Sequence, residues 1–256
     1  MEHHVPDFEN SNYFTYEHVF EKDEKLNIED ETFLFYLKAF SLAQSKGYGF
    51  LLRAWNFIPQ INHFVNGLEN YQRFCRGRKR AYELLGLQSD DFPAASAVGA
   101  ANGQMRFQFI FSKSCSVKVN NPVQVEAYHY PATYGPTPPS FARAAFFEQT
   151  LYISGTASIR GHQTIYPLDL FGQLQSTFEN LEIIIKQAQR KSNKTFRMLD
   201  SKWRIYVRDY PNLSEEVQQA LHQKIEQRLG LDSEFVQADI CRSELLIEIE
   251  GISYGV

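Results

Sequence analysis

The chain has 256 residues, a hydrophobic content of 43% and a net charge of −4, a composition typical of a folded protein with one large or two small domains. The small negative charge excludes a global field that would gather nucleic acid or an anionic membrane surface. No apolar run approaches the roughly 20 residues of a spanning helix, and the polar N-terminus is not typical of a signal peptide. We therefore expect a cytoplasmic protein that binds neither nucleic acid nor membrane.

Four elements are predicted in the first half of the chain. Apolar spacing indicates a helix near 30–45, and a strand rich in aliphatic and aromatic residues follows over 51–58. A second helix is predicted over 69–85, with Gly86 as its stop. Residues 105–111 alternate between polar and apolar side chains, as a strand with one buried face does. Almost no structure is predicted before the first helix.

The second half shows the same order after an additional opening. Residues 123–158 indicate two strands around a Pro-rich turn. A helix over 168–189, a strand over 203–208, a helix over 214–229 and a strand over 245–252 follow. Ser214 is a candidate N-cap, and Gly230 is a candidate stop.

The shared order predicts a duplication. Both second helices end in Leu-Gly-Leu, at 85–87 and 229–231, and both first strands carry a tryptophan, Trp55 and Trp203. We predict an α+β fold of two tandem units, 1–120 and 121–256, with the first unit shortened because its opening strands are lacking. A cleft between two such units is a usual place for a ligand. Chance repetition of a common strand–helix order is the alternative.

Two carboxylates are the leading candidates for chemistry. Glu248 and Glu250 lie two residues apart on a predicted strand, so their side chains point to the same face. If that face lines a pocket, burial raises the pKa of a carboxyl group and provides a general acid near neutral pH. The alternative is a sheet face exposed to solvent.

Further residue types suit a small anionic ligand. A guanidinium matches a carboxylate with two parallel hydrogen bonds, and Arg143 follows a turn made rigid by prolines, beside Phe141 and close to Tyr134. The other arginines within or beside predicted elements are Arg53, Arg76, Arg78, Arg204 and Arg242. Each could equally be a surface residue.

Small and sulfur-containing side chains complete the candidate set. Gly155, Thr156 and Ser158 end an apolar strand with little bulk, which would let a ligand ring approach the backbone; the alternative is a tight turn. Cys241 lies among polar residues and could be an inert buried thiol. No pair of cysteines has metal-ligand spacing, so no metal site is predicted. A phosphate-binding glycine loop is also absent, which leaves a dinucleotide site unsupported.

Several motifs in order resemble those of the chorismatases, from about residue 53 to the C-terminus. They are Trp-Asn-Phe-Ile-Pro-Gln-Ile-Asn at 55–62, Tyr-Gln-Arg-Phe-Cys-Arg-Gly-Arg at 71–78, Pro-Ala-Ala-Ser-Ala-Val-Gly at 93–99, Tyr-Pro at 130–131, the turn 134–144, and the segments 153–158 and 241–250. The second unit alone also resembles the YjgF/RidA-like, or chorismate-mutase-like, fold. The resemblance therefore implies two tandem YjgF/RidA-like units.

The resemblance implies an enzyme that cleaves the enolpyruvyl ether of chorismate, releases pyruvate, and uses neither metal nor organic cofactor. Glu248 matches the glutamate that protonates the enolpyruvyl methylene. Gly155 and Cys241 match residues of the members that form 3-hydroxybenzoate. The two carboxylates of chorismate call for at least two arginines or equivalent donors. The predicted substrate-binding residues are Arg53, Tyr134, Phe141, Arg143, Gly155, Thr156, Ser158, Arg204, Cys241 and Arg242.

Four alternatives stay open. The product could be a dihydrodiol or 4-hydroxybenzoate, or the protein could be a YjgF/RidA-like imine deaminase or a non-catalytic binding protein for an aromatic acid. The deaminases use an arginine about 15 residues before the strand glutamate, whereas residues 231–235 here contain no arginine. Family members usually carry additional residues before the Trp55 segment, which leads us to expect either a monomer or a trimer that covers open strand edges.

Overall fold

The structure is a computed structural model that describes residues 12–21 and 27–256. The first half of the chain contains β1 (Tyr13–Val19), α1 (Ile28–Ser45), β2 (Phe50–Ile58), β3 (Phe64–Val65), β4 (Leu68–Glu69), α2 (Asn70–Leu84), β5 (Ala94–Gly99) and β6 (Arg106–Ser112). The two predicted helices and two predicted strands of this half are confirmed. β1 corrects the expectation that almost nothing precedes the first helix: its aromatic and β-branched residues favour a strand.

The second half contains β7 (Val117–Val119), β8 (Ala144–Phe147), β9 (Thr150–Thr156), β10 (Ile159–Arg160), β11 (Gln163–Thr164), α3 (Leu170–Ser192), β12 (Lys202–Val207), α4 (Glu215–Leu229), β13 (Ser233–Gln237) and β14 (Ile247–Tyr254). Ser214 caps α4, because its side chain accepts a hydrogen bond from the backbone N–H of Val217. Gly230 ends α4 with a positive φ of +86°, and the sequence predicted the stop at this residue.

Sheet topology shows the duplication directly. Within the described residues, the first sheet has the strand order β1-β6-β2-β5, and the second has β13-β12-β14-β9-β8-β7. In each half, a strand crosses over through a helix to a parallel neighbour: β2 to β5 through α2, and β12 to β13 through α4. β6 and β14 then return antiparallel. β1 thus corresponds to β9, and among the described residues the first unit has no counterpart of β7 and β8.

The two tryptophans do not correspond, although the repeat itself is real. Trp203 belongs to the core between the second sheet and its helices. Trp55 belongs to the core between the two sheets. The two side chains therefore point to opposite faces of their sheets, and the match that the sequence suggested is wrong for this pair. The two Leu-Gly-Leu segments do correspond, since Gly86 and Gly230 both follow the second helix of a unit with positive φ.

The molecule has four layers. Helices α1 and α2 cover the outer face of the first sheet with an aromatic-rich core, and α3 and α4 cover the outer face of the second sheet. The inner faces of both sheets pack on each other through a third core that includes Leu52, Tyr152 and Tyr206. Residues that line this inner interface are buried whatever their polarity, which is what makes a charged side chain there significant. In the described part of the chain, no helix is both long and apolar enough to cross a membrane.

Candidate active site

A cavity of about 300 Å³ lies between the two halves, within the usual size of small-molecule sites. The first half contributes one face of α2 and the small-residue strand β5. The second half contributes the Pro-rich turn, the end of β9, and the loop before β14. Neither unit alone encloses this space.

Glu248 reaches the cavity from the inner face of β14. It is 4% exposed and lies opposite Tyr206 of β12. No hydrogen bond reaches its carboxyl from any described residue. Burial, and to a smaller extent the charge of Glu250, raise the pKa of Glu248 to about 8, although Arg53 opposes the shift. At neutral pH the side chain is therefore mostly a carboxylic acid.

Glu250 shares the strand face with Glu248, as the alternation predicted, but it differs in every other respect. It does not line the cavity. Its carboxylate accepts five hydrogen bonds, from Arg53 (2.5 Å), Trp55 (2.8 Å), Ser96, Arg204 (3.1 Å) and Tyr206 (2.9 Å). Burial alone would raise its pKa, but Arg53 and Arg204, with the Ser96 and Tyr206 hydroxyls, hold the pKa below its usual value. Glu250 is thus a carboxylate and Glu248 an acid.

Gly155 forms the surface against which the Glu248 carboxyl lies. β9 carries an irregularity here, because the register with β14 shifts between Ile249 and Gly251; such bulges re-aim backbone beside active sites. A Cβ atom at position 155 would lie 2.7 Å from Cδ of Glu248 and 3.1 Å from Oγ of Ser96. The sequence predicted room for a ligand ring at this glycine, whereas the structure uses the room for the carboxyl group of Glu248.

Three arginines line the cavity without a carboxylate partner. No described carboxylate lies within 4.0 Å of Arg78, Arg143 or Arg242. Arg143 donates to the backbone oxygen of Val125 and to the hydroxyl of Tyr130, each at 2.8 Å.

Aromatic rings hold these guanidiniums in place. Arg143 lies 5.2 Å from the ring centre of Phe141, Arg242 lies 3.8 Å from that of Tyr134, and Arg78 lies 4.7 Å from that of Phe74. Unpaired cations fixed in a half-enclosed site are suited to an anionic ligand.

The structure brings together most of the predicted site residues. The cavity is lined by Glu248, Tyr134, Phe141, Arg143, Gly155, Cys241 and Arg242. Four predicted binding residues lie elsewhere. Arg53 and Arg204 are engaged with Glu250 behind the cavity wall. Thr156 follows Gly155 on a strand, so its side chain points to the opposite face and donates to Ser154 O. Ser158 is buried and donates to Ile165 O.

Other lining residues were missed or left unassigned in the sequence. Tyr71, Cys75 and Arg78 recur at helical spacing on one face of α2, and that face meets the cavity. The spacing was visible in the sequence, but which unit the face would meet was not. Ser96 comes from β5, whose run of small residues gave no clear strand signal. Among the described residues, no group of three or more His, Cys, Asp and Glu side chains could hold a metal ion.

Comparison with known proteins places this geometry in a family. Residues 4–111 match the family model for the N-terminal part of FkbO/Hyg5-like chorismatases. A 3-hydroxybenzoate synthase of Streptomyces hygroscopicus is 36% identical over 229 residues, which cover 85% of this chain and 67% of that protein. The chain belongs to the chorismatase family.

Two further chorismatases and one chorismatase crystal structure are also similar to this chain. A chorismatase of Streptomyces hygroscopicus is 33% identical over 87% of this chain, and one of Streptomyces rapamycinicus is 31% identical over 85%; the matches cover 67% and 68% of those proteins. A chorismatase crystal structure at 1.08 Å superposes with a TM-score of 0.86 and 31% identity, over 95% of this chain and 75% of that one. The two-unit α+β fold predicted for this chorismatase-family chain is confirmed.

Proposed function

We propose that the protein cleaves the enolpyruvyl ether of chorismate and yields 3-hydroxybenzoate and pyruvate. The observation that carries the proposal is a buried carboxyl group in its acid form, in a cavity with three arginines that have no carboxylate partner among the described residues. The chain is also 36% identical to a 3-hydroxybenzoate synthase. The two products together contain the atoms of chorismate, so the reaction adds no water. The proposal includes no metal or organic cofactor. That the protein is cytoplasmic, and a monomer or trimer, stays a prediction.

Glu248 acts as the general acid in this proposal. A neutral carboxylic acid can donate a proton to the methylene carbon of the enolpyruvyl group, because its pKa lies near the working pH. Protonation converts the enol ether into an oxocarbenium-like group. Because no water is added, the ether oxygen leaves as the keto oxygen of pyruvate, so the bond that breaks is the one between this oxygen and the ring carbon. The remaining ring hydroxyl supplies the phenol oxygen of 3-hydroxybenzoate. The proton is returned when the ring loses one on becoming aromatic, so Glu248 ends the cycle as an acid.

In this proposal the arginines of the cavity bind the two carboxylates of the substrate. Chorismate carries one carboxylate on its ring and another on the enolpyruvyl group, and each is matched well by a guanidinium. Arg78 and Arg143 are 1% and 7% exposed and line the same cavity from different halves of the chain. We assign one carboxylate to each, with Arg242 beside them. Arg53 and Arg204 are removed from the binding role that the sequence suggested, since Glu250 already pairs with both.

Selectivity for 3-hydroxybenzoate is assigned to Gly155 and Cys241. Gly155 sets the position of the acid. Cys241 lines the cavity as a thiol, because burial and the neighbouring Glu248 raise its pKa; a neutral thiol is a small apolar group rather than a nucleophile. A small apolar side chain beside the ring excludes water, which the dihydrodiol product would require.

Two other readings have less support. An imine deaminase of the YjgF/RidA type would use an arginine on β13 or just before it, and the described residues of 231–237 contain none. A non-catalytic binding protein would have no use for an acid that reaches the cavity. Neither alternative accounts for an acid at this position, where burial raises the pKa of Glu248 and no described residue donates a hydrogen bond to its carboxyl group.

Incubation of the purified protein with chorismate tests the proposal. We expect pyruvate, followed by a coupled assay, and an equal amount of 3-hydroxybenzoate, followed by chromatography. Pyruvate with a dihydrodiol or with 4-hydroxybenzoate would keep the ether cleavage and overturn the product assignment. Binding of chorismate without pyruvate would favour the binding protein.

Enlarging the two selectivity residues should have different effects. We expect Gly155→Ala to lower kcat by about 10-fold or more, because the new methyl group must displace the Glu248 carboxyl from its position. Cys241→Leu should lower kcat less and change the ratio of 3-hydroxybenzoate to the other products. The ratio is measured by chromatography after complete conversion. An unchanged product ratio in both variants would mean that selectivity is set elsewhere.

A further inference from the structure

Glu250 lies at the centre of a buried cluster that joins the two halves of the chain. Arg53 and Trp55 of β2 and Ser96 of β5 come from the first half. Arg204 and Tyr206 of β12 come from the second half, as does Glu250 itself. Arg53, Ser96 and Glu250 are at most 4% exposed. This set of six residues, the Glu250 cluster, occupies the inner interface between the sheets, where an uncompensated charge would be costly.

Ser96 connects the cluster to the cavity. Its hydroxyl donates to Glu250 and accepts hydrogen bonds from Gly155 N (2.9 Å) and from Arg53 (2.6 Å). These three bonds use the one donor and both acceptor sites of a serine hydroxyl. Gly155 in turn lies against the Glu248 carboxyl. The Ser96 hydroxyl, whose hydrogen-bonding capacity is fully used, therefore links the position of the proposed acid, Glu248, to Glu250.

Ionisation of Glu248 and ionisation of Glu250 oppose each other. The two carboxyl groups lie two residues apart on the same strand face, and two neighbouring buried carboxylates do not both ionise readily. Glu250 receives five donors, including two guanidiniums, whereas Glu248 receives none from the described residues. The asymmetry decides which group holds the negative charge and which holds the proton.

We propose that Glu250 is a positioning residue: a carboxylate that stays ionised, locked by donors from both halves of the chain, and that keeps Glu248 in the acid form. Its role in turnover rests on the proposed function. Its effect on Glu248 does not, because that effect depends only on the buried contacts.

The other charged groups around Glu248 set the direction of the effect. Besides Glu250, those on the packed elements are Arg53, Glu69, Arg78, Arg143, Arg242 and Glu244. The thiols of Cys75 and Cys241 and the hydroxyl of Tyr206 are neutral in the working range, since burial raises the pKa of each. If Glu250 loses its charge, Arg53 remains as an unbalanced cation close to Glu248. Loss of the anion and exposure of the cation both favour ionised Glu248.

A carbon-13 NMR titration of the side-chain carboxyls in glutamate-labelled protein tests this inference without substrate. Glu248→Gln assigns the Glu248 signal, and Glu250→Gln assigns the Glu250 signal. In the unmodified protein we expect Glu248 protonated and Glu250 ionised at pH 6.5. In Glu250→Gln we expect the Glu248 midpoint to fall by about one pH unit or more. Glu250→Asp and Trp55→Phe retain the charge and should leave the midpoint nearer its original value.

Kinetics then connect the titration to turnover. The alkaline limb of kcat/KM should move to lower pH in Glu250→Gln by the same amount, whereas a merely structural defect would lower activity at every pH and leave the limb in place. An unmoved Glu248 midpoint would overturn the proposal. So would an ionised Glu248 at pH 6.5 in the unmodified protein, a result that is decisive even if Glu250→Gln does not fold. A shifted midpoint in a protein that releases no pyruvate would uphold the coupling and refute the proposed function.

Discussion

Replacing Glu248 with glutamine should reduce pyruvate release by about 10³-fold while leaving chorismate binding within a few-fold of the original, since a positioned general acid typically contributes 10²- to 10⁴-fold. The amide keeps the shape of a neutral carboxylic acid but cannot donate a proton to carbon. Turnover is measured by the coupled pyruvate assay, and binding by equilibrium dialysis. Loss of binding as well as turnover would show that Glu248 contacts the substrate mainly as a binding group.

Glu69→Gln is the matched control. Glu69 also lines the cavity and has a pKa that burial and Glu244 raise, so it tests whether any cavity carboxyl with a raised pKa suffices. We expect it to retain activity within a few-fold. If Glu69→Gln lost as much activity as Glu248→Gln, the assignment of one acid would fail.

Glu248→Gln should not destabilise the fold, and its effect on the free energy of unfolding should depend on pH. The folded-state pKa of Glu248, about 8, lies above its value of 4.5 in an unfolded chain. The folded protein therefore binds the extra proton between these values, and its stability falls as pH rises through that window. Glutamine has no proton to lose. The Tm of Glu248→Gln should thus exceed that of the unmodified protein at pH 8, with a smaller difference at pH 5.5.

The alternation of side chains along a strand and the residues that begin and end a helix are local signals. They were sufficient to predict several elements of the fold and the shared face of the two glutamates. Glu248 and Glu250 were predicted on one face because successive side chains alternate, and the structure confirms it. Ser214 and Gly230 bounded α4 correctly. The same alternation, applied one residue further, would have excluded Thr156, because its neighbour Gly155 occupies the cavity side of β9.

The ion pair of Arg53 with Glu250 depends on a contact between distant parts of the chain, so it could not be predicted from the local sequence. Glu250 lies 197 residues away from Arg53 in the sequence, and only the packing of one sheet on the other makes them a pair. A buried arginine with a dedicated carboxylate is unavailable to a ligand, whereas a buried arginine without one is available. Arg78 fits the second description, yet nothing in the sequence distinguishes it from Arg53.

The strand β5 was missed for a related reason. β5 reads Ala-Ala-Ser-Ala-Val-Gly, and most of these residues have little intrinsic preference for a strand. It becomes a strand because it pairs in parallel with β2 after a helical crossover. Its small side chains leave the space that the cavity occupies, and Ser96 on it links the cavity to Glu250. Weak local preference and functional importance therefore coincide in this segment.

Removing either assigned carboxylate-binding arginine should raise KM for chorismate by roughly 10- to 100-fold, with a smaller effect on kcat, because a hydrogen bond to a charged group contributes about 1.5–3 kcal/mol. The variants are Arg78→Met and Arg143→Met. Arg143→Lys should fall between them and the unmodified protein, since a lysine keeps the charge but not the forked geometry. Arg197→Met, at a side chain 71% exposed, is the control and should leave KM unchanged.

Product inhibition separates the two arginines. 3-Hydroxybenzoate carries only the ring carboxylate and pyruvate only the carboxylate of the side chain, so each product reports on one end of the site. The variant that weakens inhibition by 3-hydroxybenzoate identifies the arginine that binds the ring carboxylate, and the other variant should leave that inhibition nearly intact. Equal loss in both variants would mean that the two guanidiniums share one carboxylate. In that case Arg242, which is stacked on Tyr134 and also lacks a described carboxylate partner, becomes the candidate for the second one.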